Sequence, residues 1–388
     1  MKKIERISDL ERKYVSEVLD QQFKTSSGSI MNTRLENAIA ELYGVKYVIT
    51  FVNGTTTMHA ALLAAGIKEG DEVIVPPLTM ASTTFAVLQA GATPIYADVD
   101  PDTFQIDPVS IEKNITNKTK AIITVALYGL SPDMVKIMEL AQKHNLFVLE
   151  DNAETMLSKQ NGKFAGTFGH AASFSFQSSK HLTAGEGGVI ITDDEELALN
   201  IRRISSLGYA GVSSNKGKIT KRDIQEPDYF RHVSDGYNYR MPELCAAVAL
   251  GQVERVDELV QRRIDVAKLF ESIVEKADWI NSQYVPENYV NSYWTYVAKL
   301  DTSVVTWLDF RDKFMSLGGD GVYAPWKLTY QEPFYNNLKT SSSDYRPQCE
   351  VAEDLQQRLL QFKTNYWDWD QATVQAEILD KTIKYFDK

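Results

Sequence analysis

From residue 46 to residue 150 the sequence alternates short β-branched runs with helix-forming stretches, and this alternation constrains the fold most. Residues 46–51 read as a strand and 55–65 as a helix; 72–75 is a strand and 81–90 a helix. Strands at 93–97 and 121–127, a helix over 132–144 and a strand at 146–150 continue the pattern. Such alternation predicts an α/β fold, a mostly parallel sheet with helices on both faces. The strand runs are apolar throughout, as in strands buried on both sides. Ligands in these sheets bind beyond the carboxyl ends of the strands. Three polar clusters fall there: Asn53-Gly54-Thr55-Thr56, Asp151-Asn152-Ala153-Glu154 and Ser178-Ser179-Lys180.

At 388 residues the chain is too long for one small core, so a large domain with a smaller one is expected. Residues 242–275, with Val248, Leu250, Val253, Val256, Leu259 and Val260, read as one long connecting helix. Residues 276–388 are richer in aromatics and turns and read as a smaller α+β unit. The expected division is therefore 1–255 and 256–388. A net charge of −11 without a basic arm argues against nucleic-acid binding. Apolar runs such as 121–127 fall far short of a membrane span. The start, Met1 to Arg6, lacks the apolar core of a secretory signal. The two cysteines, Cys245 and Cys349, have no metal-ligand spacing and make a disulfide scaffold unexpected. A cytoplasmic, reducing compartment is the expectation.

Lys180 follows the apolar run Ala171 to Phe176 and the small polar turn Gln177-Ser178-Ser179. Beyond it, Gly185-Glu186-Gly187-Gly188 leads into a new β-branched run, Val189 to Thr192. A lysine held between two buried strands is costly if charged and tends to lose its proton. A neutral amine is what attack on a carbonyl needs. Alone, Lys180 reads equally as a loop charge. Asn53-Gly54-Thr55 follows a strand and opens a helix, whose N–H groups attract phosphate while Gly54 permits close approach. The same residues suit an ordinary N-cap. Asp151 ends a buried strand, where a carboxylate is expensive without a cation. It reads either as an N-cap or as the partner of a protonated heterocyclic nitrogen. A phosphate cradle, then an aspartate, then a strand ending Ser175-x-x-x-x-Lys180 together point to pyridoxal 5′-phosphate. Lysine would hold the aldehyde as a Schiff base, aspartate would keep the ring nitrogen protonated, and hydroxyls with amides would hold the phosphate.

These residues resemble the sugar aminotransferases of the DegT/DnrJ/EryC1/StrS family, within the aspartate-aminotransferase fold, type I of the pyridoxal-phosphate enzymes. The resemblance extends over nearly the whole chain. Gly70-Asp71-Glu72-Val73-Ile74-Val75-Pro76, Ala97-Asp98-Val99-Asp100-Pro101 and Gly236-Tyr237-Asn238-Tyr239-Arg240-Met241-Pro242-Glu243 also carry it. It implies a seven-stranded type of sheet. It implies Lys180 as the cofactor-linked lysine and proton shuttle, and Asp151 as the partner of the pyridinium nitrogen. Gly54, Thr55 and Ser175 become phosphate ligands. Asn238 is the asparagine that reaches a neighbouring subunit's cofactor, which implies a homodimer with shared sites; alone, it reads as a turn residue before a helix.

Three departures from the family pattern stand out. Met80 occupies the position often held by an aromatic residue stacked on the ring, and its sulfur can pack there more loosely. Glu154 stands where a Gln or His often faces the ring hydroxyl, and a glutamate fits that role only if one partner is protonated. The loop over 208–231 is long, and with Gly318 to Tyr323 and Trp326-Lys327 it is expected to shape the substrate pocket. Lys216, Lys218, Lys221, Arg222 and Arg231 in this loop, with the adjoining His232, read either as contacts for an anionic acceptor or as a solvated surface.

The resemblance implies amino transfer in two half-reactions from L-glutamate, or L-glutamine, to a keto-sugar acceptor. The Lys180 run and residues 318–333 suggest a free or phosphorylated sugar as much as a nucleotide-linked one. Rival readings are a keto-sugar dehydratase, a cysteine desulfurase and a non-catalytic regulatory protein that keeps the fold. In one dehydratase branch histidine replaces the lysine, whereas here His181 is only its neighbour. An iron–sulfur branch needs about four cysteines. Cys245 lies in a helical stretch, away from any evident mobile loop.

Overall fold

In the computed structural model, which describes residues 3–23, 30–215, 225–337 and 347–387, two helices come first: α1 (Asp9–Asp20) and α2 (Ile30–Tyr43). Then β1 (Tyr47–Phe51), α3 (Gly54–Ala64), β2 (Glu72–Val75), α4 (Ser82–Gln89), β3 (Thr93–Tyr96), α5 (Pro108–Asn114), β4 (Thr119–Val125), α6 (Met134–His144) and β5 (Phe147–Asp151) alternate strictly. A short hairpin, β6 (Lys159–Gln160) and β7 (Lys163–Phe164), leads to β8 (Ala171–Ser175), β9 (Gly188–Thr192) and α7 (Glu195–Ser205).

Seven of these strands form one sheet in the order β1-β9-β8-β5-β4-β2-β3. Only β9 runs against its neighbours, because the chain turns back directly from β8. Along each strand, alternate side chains enter opposite cores. Val73, Val75, Ile123 and Leu149 pack towards α3, α4 and α7, while Ile74, Ile122 and Val148 pack towards α5 and α6. Helix α2 covers the β1, β8 and β9 end of that second face. The sheet is therefore closed on both sides, and its polar chemistry is confined to the strand ends.

The stretch expected as one helix is two, α8 (Glu243–Val253) and α9 (Val256–Val274). The break lies at Arg255, whose backbone leaves the helical range (φ −117°, ψ 15°). Its guanidinium there donates to Glu11 at 3.0 Å and to the Glu5 carbonyl at 2.6 Å. An anchor for the amino-terminal segment thus overrides local helix propensity.

Beyond α9, β10 (Ile280–Ser282), β11 (Tyr289–Val290), β12 (Thr295–Leu300), α10 (Trp307–Ser316), α11 (Glu350–Gln356), β13 (Leu359–Lys363) and α12 (Trp369–Phe386) follow. An antiparallel sheet, β10-β12-β13, packs with α9, α10 and α12 around Phe270, Tyr296, Phe310 and Phe362. Not all of 276–388 belongs to this layer. Leu328, Cys349, Ala352 and Leu355 enter the core of the large sheet. Asp98, just past β3, accepts the N–H groups of Val351 and Ala352, each at 2.9 Å, and so caps α11 from a distance. Among the described residues no helix is long and apolar enough to cross a membrane.

Candidate active site

Strands β1, β4, β5 and β8 point their carboxyl ends to one side, and the candidate residues gather there. Asn53 caps α3 by accepting the Thr56 N–H at 2.9 Å. Gly54 lies against the end of β8. A Cβ at Gly54 would stand 3.1 Å from the Ser175 Cβ, and one at Gly188 would stand 2.8 Å from the Gly54 nitrogen. Neither position tolerates a side chain without movement, so the backbone at the start of α3 stays bare beside the Ser175 hydroxyl. Thr57 ties the helix to β8 by donating to the Gly54 carbonyl at 2.5 Å and meeting the Ser173 hydroxyl.

Asp151 ends β5 and is buried. One carboxylate oxygen accepts the Thr83 hydroxyl at 2.9 Å and the other the Ala153 N–H at 3.1 Å. Burial raises its carboxyl above the ordinary range, opposed by those two hydrogen bonds and by the charge of Lys180. Glu154 is also buried. It accepts the Tyr128 N–H at 3.1 Å and lies 3.3 Å from Lys180 Nζ. Burial raises its carboxyl too, with Lys180 the largest opposing influence.

Lys180 Nζ also sits 4.3 Å from the ring centroid of Trp294. In the structure the amine has an ionic partner and an aromatic face. Its turn is held by its carbonyls. Arg6 donates to the carbonyl of Lys180 at 2.8 Å and to that of His181 at 3.1 Å. Arg263 donates to those of Ser179 at 3.0 Å and Lys180 at 2.9 Å, and the Trp294 indole to that of Ser179 at 2.9 Å.

Asp151, Glu154 and Lys180 thus form one cluster, with Gly54 and Ser175 meeting on the neighbouring strand ends. Met80 is half exposed; its turn precedes Thr83, whose N–H donates to the Met80 carbonyl at 3.3 Å. Thr55 follows Gly54 in the first turn of α3. Asn238 is exposed and bridges Ser206 through its backbone, and the carbonyl of the next residue, Tyr239, accepts the Val52 N–H at 2.8 Å. Lys216, Lys218, Lys221 and Arg222 lie outside the described residues; Arg231 and His232 are exposed. Sequence reasoning missed Thr83, Tyr128, Trp294, Arg6 and Arg263. Thr83 carried a signal, a polar cluster past β2. The others come from distant segments and carried none.

Arg263 is buried, and among the described residues no carboxylate lies within ion-pair distance of it. Burial, then the neighbouring Arg6, pushes its pKa well below the usual arginine value. It serves as a donor to neutral acceptors, including the Trp294 carbonyl at 2.8 Å. Arg263→Met keeps the bulk but removes one of the two donors to each of the buried carbonyls of Ser179, Lys180 and Trp294, which should cost about 3 kcal/mol. The check is urea unfolding, with a lower midpoint at unchanged slope.

Residues 5–374 match the model of the DegT/DnrJ/EryC1/StrS aminotransferase family. The chain is 40% identical over 284 residues, 73% of each chain, to a GDP-perosamine synthase of Escherichia coli O157:H7. It is 38% identical over 305 residues, 78% of each, to a GDP-perosamine synthase of Caulobacter vibrioides. The X-ray structure of an aminotransferase from Psychrobacter cryohalolentis, 26% identical, superposes with a TM-score of 0.88 and 100% of both chains covered. Fold and site define a pyridoxal-phosphate-dependent aminotransferase of fold type I. The chain belongs to the DegT/DnrJ/EryC1/StrS family of sugar aminotransferases.

The residues present fit pyridoxal 5′-phosphate. Asp151 is a buried carboxylate whose two hydrogen bonds come from neutral donors, and its raised carboxyl marks the want of a closer cation. Gly54 and Ser175 leave amide and hydroxyl donors at a helix N-terminus where a Cβ would intrude.

Proposed function

We propose that this enzyme moves the amino group of L-glutamate to the ketone of a sugar nucleotide by a ping-pong reaction. The observation that carries the reading is the cluster of Lys180, Asp151 and Glu154 at the strand ends. The relatives named GDP-perosamine synthase support a GDP-linked acceptor over the free or phosphorylated sugar that residues 318–333 suggested. Residues 1–255 form the cofactor-holding unit in this reading, and 256–388 the smaller unit that supplies Trp294 and Arg263.

Asp151 holds a proton at the pyridine nitrogen, and Gly54, Thr55 and Ser175 hold the phosphate. Met80 packs near the ring, Glu154 lies beside Lys180, and Asn238 reaches across to the second subunit of a homodimer. When bound, the protonated ring supplies an electron sink for the carbon that loses its proton. Lys180 Nζ takes the proton from the donor's Cα and later delivers one to the acceptor carbon. Arg6, Arg263 and Trp294 hold the lysine's turn by its carbonyls, so that the amine keeps its direction.

The test is the visible spectrum of the purified holoenzyme before and after L-glutamate. The expected result is loss of the lysine-linked band, appearance of a shorter-wavelength band of aminated cofactor, and reversal by a GDP-linked keto sugar. A band indifferent to L-glutamate and L-glutamine would favour the dehydratase or the regulatory reading.

A further inference from the structure

Two buried carboxylates flank the Lys180 amine, and the structure divides them. Both oxygens of Asp151 are engaged by Thr83 and Ala153, and no ion pair joins it to the lysine among the described residues. Glu154 has one oxygen fixed by the Tyr128 N–H and turns the other to Lys180 Nζ at 3.3 Å. That fixing is built in. Tyr128 takes φ +64°, a conformation uncommon for a non-glycine residue, and its N–H then points at Glu154. The two side chains are nearly closed to water, with relative exposures of 14% for Lys180 and 5% for Glu154. The charged and titratable groups facing Glu154 are Lys180, Asp151 and Tyr128.

We propose that Glu154 is the dedicated counter-ion and proton partner of Lys180, a positioning residue that sets the charge state of its nitrogen. The inference rests on the reading of Lys180 above. The exchange is internal and balanced. The lysine ammonium gives one proton to the glutamate carboxylate, leaving a neutral amine and a neutral carboxyl, and the reverse step restores both charges. No water or outside base is required, which suits an amine packed 4.3 Å from the Trp294 ring centre. Burial raises the Glu154 carboxyl, which favours its holding a proton.

The test uses the holoenzyme with Glu154→Gln and Glu154→Asp. In Glu154→Gln the loss of negative charge disfavours a protonated lysine nitrogen. The visible band of the lysine-bound cofactor should therefore lose its protonated form at a pH about one unit lower or more. The kcat should fall about 10- to 100-fold while the L-glutamate KM stays within about threefold. Glu154→Asp, which keeps the charge, should recover part of both effects. An unchanged band midpoint with kcat near the parent's overturns the proposal. So does loss of cofactor and of thermal stability in both variants alike, which would make Glu154 a packing residue. Failure of the underlying reading is distinct, because Lys180→Ala would then keep its visible band.

Discussion

Lys180→Ala should fold, bind cofactor without the lysine-linked visible band, and lose turnover by roughly 10⁴-fold or more, since nucleophile and proton shuttle vanish together. Folding should survive because the turn is gripped through its backbone. The carbonyls that Arg6, Arg263 and Trp294 bind belong to residues 179–181 whatever side chain stands at 180. The variant should still show a pH-dependent loss of stability. Burial raises the Glu154 carboxyl, and Lys180 is the largest influence lowering it. A carboxyl raised above its unfolded value favours the folded state while protonated and costs stability as pH rises through its folded value. Without the lysine that cost grows. The melting temperature of Lys180→Ala should match the parent's best near the unfolded glutamate value of about 4.3 and fall progressively behind it above. Thermal melts across that window check the stability claim. Retained turnover, or a retained visible band, would refute the role of Lys180.

Asp151→Asn should reduce kcat by at least about 10²-fold while cofactor still binds. The amide keeps an acceptor for Thr83 or Ala153 but lacks the charge that would hold a proton on the ring nitrogen. Its effect on stability should be the opposite of its effect on activity. Burial raises the Asp151 carboxyl, so its ionisation costs folded stability as pH rises. Removing that buried charge should leave the cofactor-free protein melting at or above the parent temperature near neutral pH. Single-turnover spectra with L-glutamate give the first number and thermal melts of the cofactor-free protein the second. Activity within about threefold of the parent would remove Asp151 from the chemistry.

Much of this was legible beforehand, for local reasons. Each strand of the alternating region carries its apolar signal in four to seven consecutive residues, so their order, and hence a sheet covered on both faces, could be read directly. The rule that ligands lie beyond carboxyl ends then selected the clusters holding Gly54, Asp151, Glu154 and Lys180. The single helix expected over 242–275 failed for the converse reason. Local propensity favours continuing through Arg255, whereas Glu5 and Glu11, far away in sequence, draw that side chain off the helix.

The residues by themselves determined the α/β class, the strand ends that bear chemistry and the types of group placed there. Those depend on short-range periodicity and on the cost of polar groups in apolar runs. Only the tertiary structure decided which carboxylate faces the lysine, that Trp294 covers it and that Arg6 and Arg263 hold its turn. The contacts of Arg6, Arg263 and Trp294 join segments more than eighty residues apart, and Glu154, 26 residues before Lys180, is aimed at it through the backbone turn at Tyr128.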